Sequence, residues 1–427
     1  MEELIPGLPE EIGRECLIRI PYKQFSTVLA VSKRWKQETE SKEFHHRRRN
    51  RGFNQNLIAL LQSDPIMASD TAKNNSTATT TTTTTTPVYR LSLYEPGKNE
   101  WERLPPIPGY SDRGLPLFCQ CAGVGRYLVV IAGWNTTTWE VLNSVYVFDL
   151  LTATWRRGSG MPGERRTFFA CASDSVRTVF VAGGHDEEKN ALRSALAYDV
   201  VEDEWVQLPD MAKERDECKG LFHGGKFHVI GGYETEMQGR FDKSSEAFDV
   251  ATWKWGSVED KLRTATCPRT CLFDHEGTLY KCGPAYMSRL VGSTWQQFAE
   301  LPADVRNGTY AVRWRKKMLV IGCGLQGGTH SCYELESGKD EQQYTWRKVE
   351  TPEGFTGYVQ SGCNLELYWI GCGIDIWTAG EEFTAAGRRR KGRRSEVGRP
   401  PESRSPERRL PVAGVEVAGR RSDEVDR

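Results

Sequence analysis

The sequence predicts a small all-α module joined to an all-β ring of six stacked sheets, a six-bladed propeller, followed by a disordered C-terminal tail. Three observations carry this. Trp101, Trp155, Trp205 and Trp255 are separated by 54, 50 and 50 residues. An aromatic stands seven positions before each: Tyr94, Phe148, Tyr198 and Phe248. Upstream of three of them lies a glycine turn, Ala132-Gly133, Gly183-Gly184 and Gly231-Gly232. Units of about 50 residues cannot bury their own apolar faces and must stack on their neighbours. Such an architecture presents a rigid binding surface.

Residues 1–50 form a helical module, with 4–46 reading as helical. Leu8, Ile12, Cys16 and Ile20 recur every four positions, and Phe25, Val28, Leu29, Val31 and Trp35 continue an apolar face. Pro9 and Pro21 suit first helical turns, and Ser32 and Ser41 suit N-caps, so about three short helices are expected. A piece this small is only marginally stable alone, which is a reason to expect a docking partner. The basic cluster His45–Arg51 reads as a solvated helix end or a nuclear import signal.

Residues 51–372 carry the repeat. Each unit offers an apolar strand, a second strand ending in glycine or other small residues, a third ending in Tyr-Asp or Phe-Asp, and a fourth bearing tryptophan. The clearest unit runs through Phe168-Phe169, Val179–Gly184, Tyr198-Asp199 and Glu204-Trp205. The unit ending at Trp295 has only twelve residues after Gly283, so its third strand must be short or lack a usual turn. The stretch Gly357–Leu367 supplies one strand and stops. Leu57–Leu61, Tyr89–Tyr94 and Trp101–Leu104 supply the missing three, which closes six blades and removes open sheet edges. The threonine-rich run within 71–87 and the basic tail 373–427 lack the apolar content to pack and are expected to be disordered.

Bulk properties exclude several classes. With 57 basic and 57 acidic residues, no global field draws the chain onto nucleic acid or membrane. No apolar run of about 18 residues spans a membrane, and the N-terminus lacks a secretory pattern. Residence in the cytoplasm or nucleus follows, with the twelve cysteines reduced and Cys171, Cys271, Cys282 and Cys363 acting as small buried hydrophobes. No cysteine–histidine spacing suits zinc, no phosphate-binding loop or His-Glu-x-x-His occurs, and no Tyr, His and Cys set for an oxidase-type copper centre can be picked out. A non-catalytic protein with no metal or cofactor is expected.

Two features suggest a binding site. Arg113, Arg166, Arg215, Arg269 and Arg306 each precede the first strand of a unit. On a ring they either face one mouth, where they would favour carboxylate or phosphate, or brace their own blades by bonding backbone carbonyls. The loops Trp134–Trp139, His185–Asn190 and Tyr233–Arg240 hold aromatic and charged residues of the kind enriched at hot spots, His185 and Tyr233 among them.

The runs Leu8-Pro9-Glu10-Glu11-Ile12, Cys16–Pro21, Val31-Ser32-Lys33-Arg34-Trp35, Ser41 and Phe44 resemble the F-box. The resemblance implies docking to a Skp-type adaptor, and through it to a cullin, by Leu8, Pro9, Ile12, Leu17, Ile20, Pro21, Val31 and Trp35. The alternative is a helical cap that packs the same apolar face onto the ring. The repeats resemble kelch repeats, and the combination resembles the plant F-box/kelch-repeat proteins. Runs such as Val181–Glu187, Glu214–Cys218 and Phe227–Tyr233 resemble the subgroup that sends phenylalanine ammonia-lyase, or type-B response regulators of cytokinin signalling, for degradation. This implies a substrate receptor of an SCF-type ubiquitin ligase that restrains phenylpropanoid synthesis or cytokinin response. A ligase-independent kelch scaffold is the alternative.

Overall fold

Two residues seven apart face each other when a four-residue turn joins two strands. The computed structural model describes residues 3–65, 87–111, 113–337 and 343–367. In it Tyr94 pairs with Trp101, Phe148 with Trp155, Tyr198 with Trp205 and Phe248 with Trp255. Their ring centroids lie 4.4, 5.0, 4.9 and 5.5 Å apart. The aspartate after the aromatic builds the turn in three blades. Asp149 Oδ1 accepts from the Leu151 amide, Asp199 Oδ1 from Val201 and Glu202, and Asp249 Oδ1 from Ala251 and Thr252.

These hairpins belong to six antiparallel sheets arranged as a ring. Blade 1 spans residues 120–158, blade 2 170–208, blade 3 219–255, blade 4 272–300 and blade 5 307–349. The closing blade takes Val359–Glu366 as its innermost strand, then Asn56–Ser63, Tyr89–Glu95 and Glu100–Arg103. This is the closure the sequence predicts. Blade 4 lacks the usual turn, as one of the two expectations had it. Its third strand, Tyr286–Val291, keeps six residues and reaches Thr294 through a two-residue turn at Gly292, φ 61°.

The indoles do more than fill space between blades. Each donates its Nε1 hydrogen to a carbonyl at the end of the preceding blade's outer strand or just beyond it. Trp155 bonds Pro105, Trp205 bonds Ser159, Trp255 bonds Pro209, Trp295 bonds Lys261 and Trp346 bonds Glu300, at 2.6–2.9 Å. Trp101 breaks the series: its Nε1 has no acceptor among the described residues, and its ring lies 5.5 Å from Phe355. At the axis the innermost strands come within glycine range. A Cβ on Gly123 would sit 2.3 Å from the Asn364 carbonyl oxygen, and one on Gly220 2.6 Å from the Cys171 nitrogen.

The N-terminal module forms α1 (Glu10–Leu17), α2 (Phe25–Val31), α3 (Lys33–Thr39) and α4 (Lys42–Asn50), four helices where the sequence suggested about three. Extended Ser32 separates α2 from α3, in the N-cap role the sequence suggested. Its Oγ caps α3 by accepting from the Trp35 amide at 3.1 Å, and Ser41 Oγ caps α4 through Phe44. Leu17, Ile18, Tyr22, Phe25, Val28 and Phe44 are buried in one cluster with Leu57, Leu93, Leu128, Leu150 and Leu151 of the ring. Each such side chain contributes about 1.5–3 kcal/mol of transfer free energy, so the ring supplies what the short helices lack. Polar contacts fix the orientation. Tyr22 Oη donates to Glu102 at 2.6 Å, Lys23 pairs with Glu100 and Glu102, and the Tyr22 amide donates to Gln55 Oε1.

His46, Arg49 and Arg51 are exposed at the basic helix end, as expected, but Arg48 is not. It is 2% exposed, lies over the rings of Phe25 and Phe44, and donates to the carbonyls of Ile18, Ile20 and Phe53. The module thus docks at the end of the ring that carries the aspartate turns. The glycine turns lie at the opposite end. Calls on the threonine-rich run through residue 86 and on the tail 373–427 fall outside the described residues.

Candidate functional site

The five repeated arginines do not form a cationic ring around a mouth. Arg166 and Arg215 are 2% and 1% exposed. Arg166 donates to the carbonyls of Gly183 and Ser194, and Arg215 to those of Gly231 and Ser244. Each guanidinium ties the carbonyl of a left-handed glycine to the start of the next strand, which is the bracing alternative. Arg215 also pairs with Glu246, itself 1% exposed, at 3.1 Å. Half-buried Arg269 bonds Tyr358 Oη and the Val359 carbonyl, and Arg306 bonds the Leu301 carbonyl and Glu300. Exposed Arg113 donates to Thr137 Oγ1 at 3.0 Å. For Arg166 and Arg215 the physical reason is depth: each stands four residues before the first strand of its blade, where the chain is already descending between blades, whereas Arg113 stays at the surface.

The mouth at the glycine-turn end is built by a repeating set of three positions. Short antiparallel bridges join Leu117 to Trp134, Thr167 to His185, and Asp216 to Tyr233 in blades 1 to 3. The residue after the first member is left-handed in every case: Phe118, Phe168 and Glu217 have φ of 58°, 54° and 49°. That kink ejects the side chain from the strand direction. The rings join into one strip. Phe118 lies 5.7 Å from Trp134 and 4.6 Å from Phe168, Trp134 lies 6.3 Å from Trp139, and Phe168 stacks on His185 at 5.4 Å. Tyr233 Oη donates to Glu217 Oε1 at 3.0 Å, and burial with Asp216 and Glu217 nearby holds its phenol well above the usual range.

His185 and Tyr233, both singled out in the sequence, therefore stand at the same mouth. Phe118, Phe168 and Glu217 were missed, although their spacing of 50 and 49 residues before successive first strands was the available signal.

Thr167, His185 and Asp216 form a hydrogen-bonded chain, with Thr167 Oγ1 2.9 Å from His185 Nε2 and His185 Nδ1 2.8 Å from Asp216 Oδ2. The order matches a hydroxyl–imidazole–carboxylate triad, but Thr167 is fully buried and its backbone is bonded both ways to His185. A nucleophile must meet its substrate, so this chain serves as a strap between blades 2 and 3. Among the described residues no group of three or more His, Cys, Asp or Glu side chains could hold a metal, and no helix is long and apolar enough to cross a membrane. The axial channel is lined by Cys121, Cys171, Cys271, Cys363, Tyr310 and Lys219. Burial pushes the Cys271 thiol up to about 12 and lowers the Lys219 ammonium.

The adaptor-facing set divides. Leu17 is 1% exposed in the shared core, Ile20 and Trp35 pack against that core, and Trp35 Nε1 donates to the Leu4 carbonyl. Those three hold the module to itself and to the ring, as the cap alternative expects. Leu8 and Pro21 are half-buried, whereas Pro9 and Cys16 are exposed and Ile12 and Val31 are 48% and 56% exposed. Pro9, Ile12 and Cys16 share one face of α1 by their spacing.

The Kelch motif model matches residues 117–162 and 177–212, which include Leu117, Phe118 and Trp134 of blade 1 and His185 of blade 2. Two F-box/kelch-repeat proteins of Arabidopsis thaliana, At1g15670 and At1g80440, are 45% and 44% identical, each over 86% of this chain and 100% of the relative. A third from the same organism, F-box/kelch-repeat protein SKIP20, is 32% identical over 83% of this chain and 94% of its own length.

Proposed function

This chain belongs to the F-box/kelch-repeat family, and from that premise we propose that it is the substrate receptor of an SCF-type ubiquitin ligase. The helical module recruits a Skp-type adaptor and, through it, a cullin. The glycine-turn mouth holds the client at the other end of the ring. The chain makes and breaks no covalent bond; holding a client lysine near a charged conjugating enzyme raises effective concentration.

One observation carries this reading. In a module whose large apolar residues are otherwise mostly covered, Ile12 and Val31 remain 48% and 56% exposed. The likeness of the runs Val181–Glu187, Glu214–Cys218 and Phe227–Tyr233 to the subgroup acting on phenylalanine ammonia-lyase or type-B response regulators supports those proteins as clients. The protein then restrains phenylpropanoid synthesis or cytokinin response from the cytoplasm or nucleus.

Capture of purified Skp-type adaptor by the full chain tests the reading. Ile12→Asp with Val31→Asp should abolish capture at unchanged melting temperature. A native chain that captures no adaptor overturns it and favours the ligase-independent scaffold, which the docked face of Leu17, Phe25 and Phe44 also suits.

A further inference from the structure

We propose that the mouth of blades 1 to 3 takes an extended client segment in which an arginine or lysine follows apolar residues, the apolar side chains lying along the aromatic strip and the cation meeting Glu217. This rests on the receptor reading above and adds the chemistry of the client.

The strip's backbone is the first argument. Left-handed backbone is disfavoured for bulky side chains, and a position that only needed to turn would suit glycine or asparagine. Blades 1 and 2 place phenylalanine there, and blade 3 places glutamate. The same left-handed kink recurs in three successive blades and sets these side chains at one mouth. Exposure is the second argument, since Phe118 and Trp139 are 37% and 55% exposed although each touches other rings.

Spacing and charge choose the occupant. Alternate side chains of an extended peptide recur about every 7 Å on one face, near the ring-to-ring steps of 6.3 and 5.7 Å along Trp139, Trp134 and Phe118. A guanidinium or ammonium also gains from lying over an aromatic face. Loops 185–190, 214–217 and 233–240 hold eight carboxylates and three cations; with Arg215 buried in its brace and Asp216 buried against His185, seven carboxylates and two cations remain. Glu188 and Glu236 are exposed and form no ion pair among the described residues. The arginine ring would have selected an acidic partner. With Arg166 and Arg215 withdrawn into the blades, the field at this mouth selects a basic one.

Selection of a displayed random nonapeptide library on the full chain tests this. The expected result is enrichment of sequences with arginine or lysine beside leucine, phenylalanine or tyrosine, weakened by salt. Phe118→Gly with Phe168→Gly, which suits the backbone at both positions, should cut enrichment at least tenfold while the melting temperature holds. Glu217→Lys should turn the preference toward acidic sequences. No enrichment, enrichment of uncharged or acidic peptides, or indifference to these substitutions overturns the proposal. Adaptor capture on the same preparation separates the two claims. Adaptor bound without a basic preference refutes this inference alone; a basic preference without adaptor supports the mouth assignment and removes the receptor reading.

Discussion

Arg215→Ala should unfold the ring locally before it touches client binding. The side chain is 1% exposed and donates to Gly231 O at 2.8 Å, Ser244 O at 3.1 Å and Ser244 Oγ at 2.8 Å, while pairing with buried Glu246 at 3.1 Å. Removing one partner of a buried, hydrogen-bonded ion pair costs about 3–5 kcal/mol, because the other charge stays buried. Glu246 keeps the amides of Ala212 and Lys213 as donors, which places the loss toward the lower end. At about 2–4 °C per kcal/mol for a mid-sized domain, the melting midpoint should fall by roughly 10 °C. Thermal unfolding followed by tryptophan fluorescence reads this directly. Arg215→Met with Glu246→Leu should recover part of the loss, since an apolar pair leaves no orphaned charge. If Arg215→Ala melts with the wild type yet no longer captures clients, the bracing argument is wrong and the arginine faces a ligand after all.

Other outcomes follow from the same geometry. Trp205→Phe loses the bond to Ser159 O and should cost about 1–2 kcal/mol in urea titration, whereas Trp101→Phe, whose indole nitrogen has no acceptor among the described residues, should cost less. Burial, helped by the charge of Arg48, lowers His45 from 6.5 to about 4. Above pH 6.5 both folded and unfolded chains hold it neutral; as pH falls toward 4 only the unfolded chain takes the proton, so stability drops by up to roughly 3 kcal/mol. His45→Leu should flatten the melting temperature between pH 7 and pH 4.5. Among the eleven described cysteines Cys16 and Cys267 are exposed, so N-ethylmaleimide should label these two first in the native chain, and Cys16 labelling should block adaptor capture.

The ring was legible because a hairpin's register is local. The seven-residue step from Tyr198 to Trp205 leaves room for one aspartate turn, and the spacing of 54, 50 and 50 residues from Trp101 to Trp255 then places the neighbouring blades. Closure was legible as well, since the strand Val359–Glu366 has no partner of its own and the segments beginning at Asn56, Tyr89 and Glu100 lack a first strand. The site was less legible. Arg166 and Phe168 stand two positions apart, but one is 2% exposed and the other lines the mouth. Their fates divide at a left-handed kink whose place the repeat spacing marks but whose backbone conformation it does not give. Likewise Ile20 and Ile12 sit on the same predicted apolar face, and only contact with the core covers one and leaves the other exposed.

The sequence by itself determined the stacked sheets, their number and the helical start, because apolar period and turn chemistry act over a few residues. Tertiary structure decided the sign of charge at the mouth and which helical side chains remain available. Both depend on how deep each side chain lies between elements distant in the chain, and depth is a property of packing.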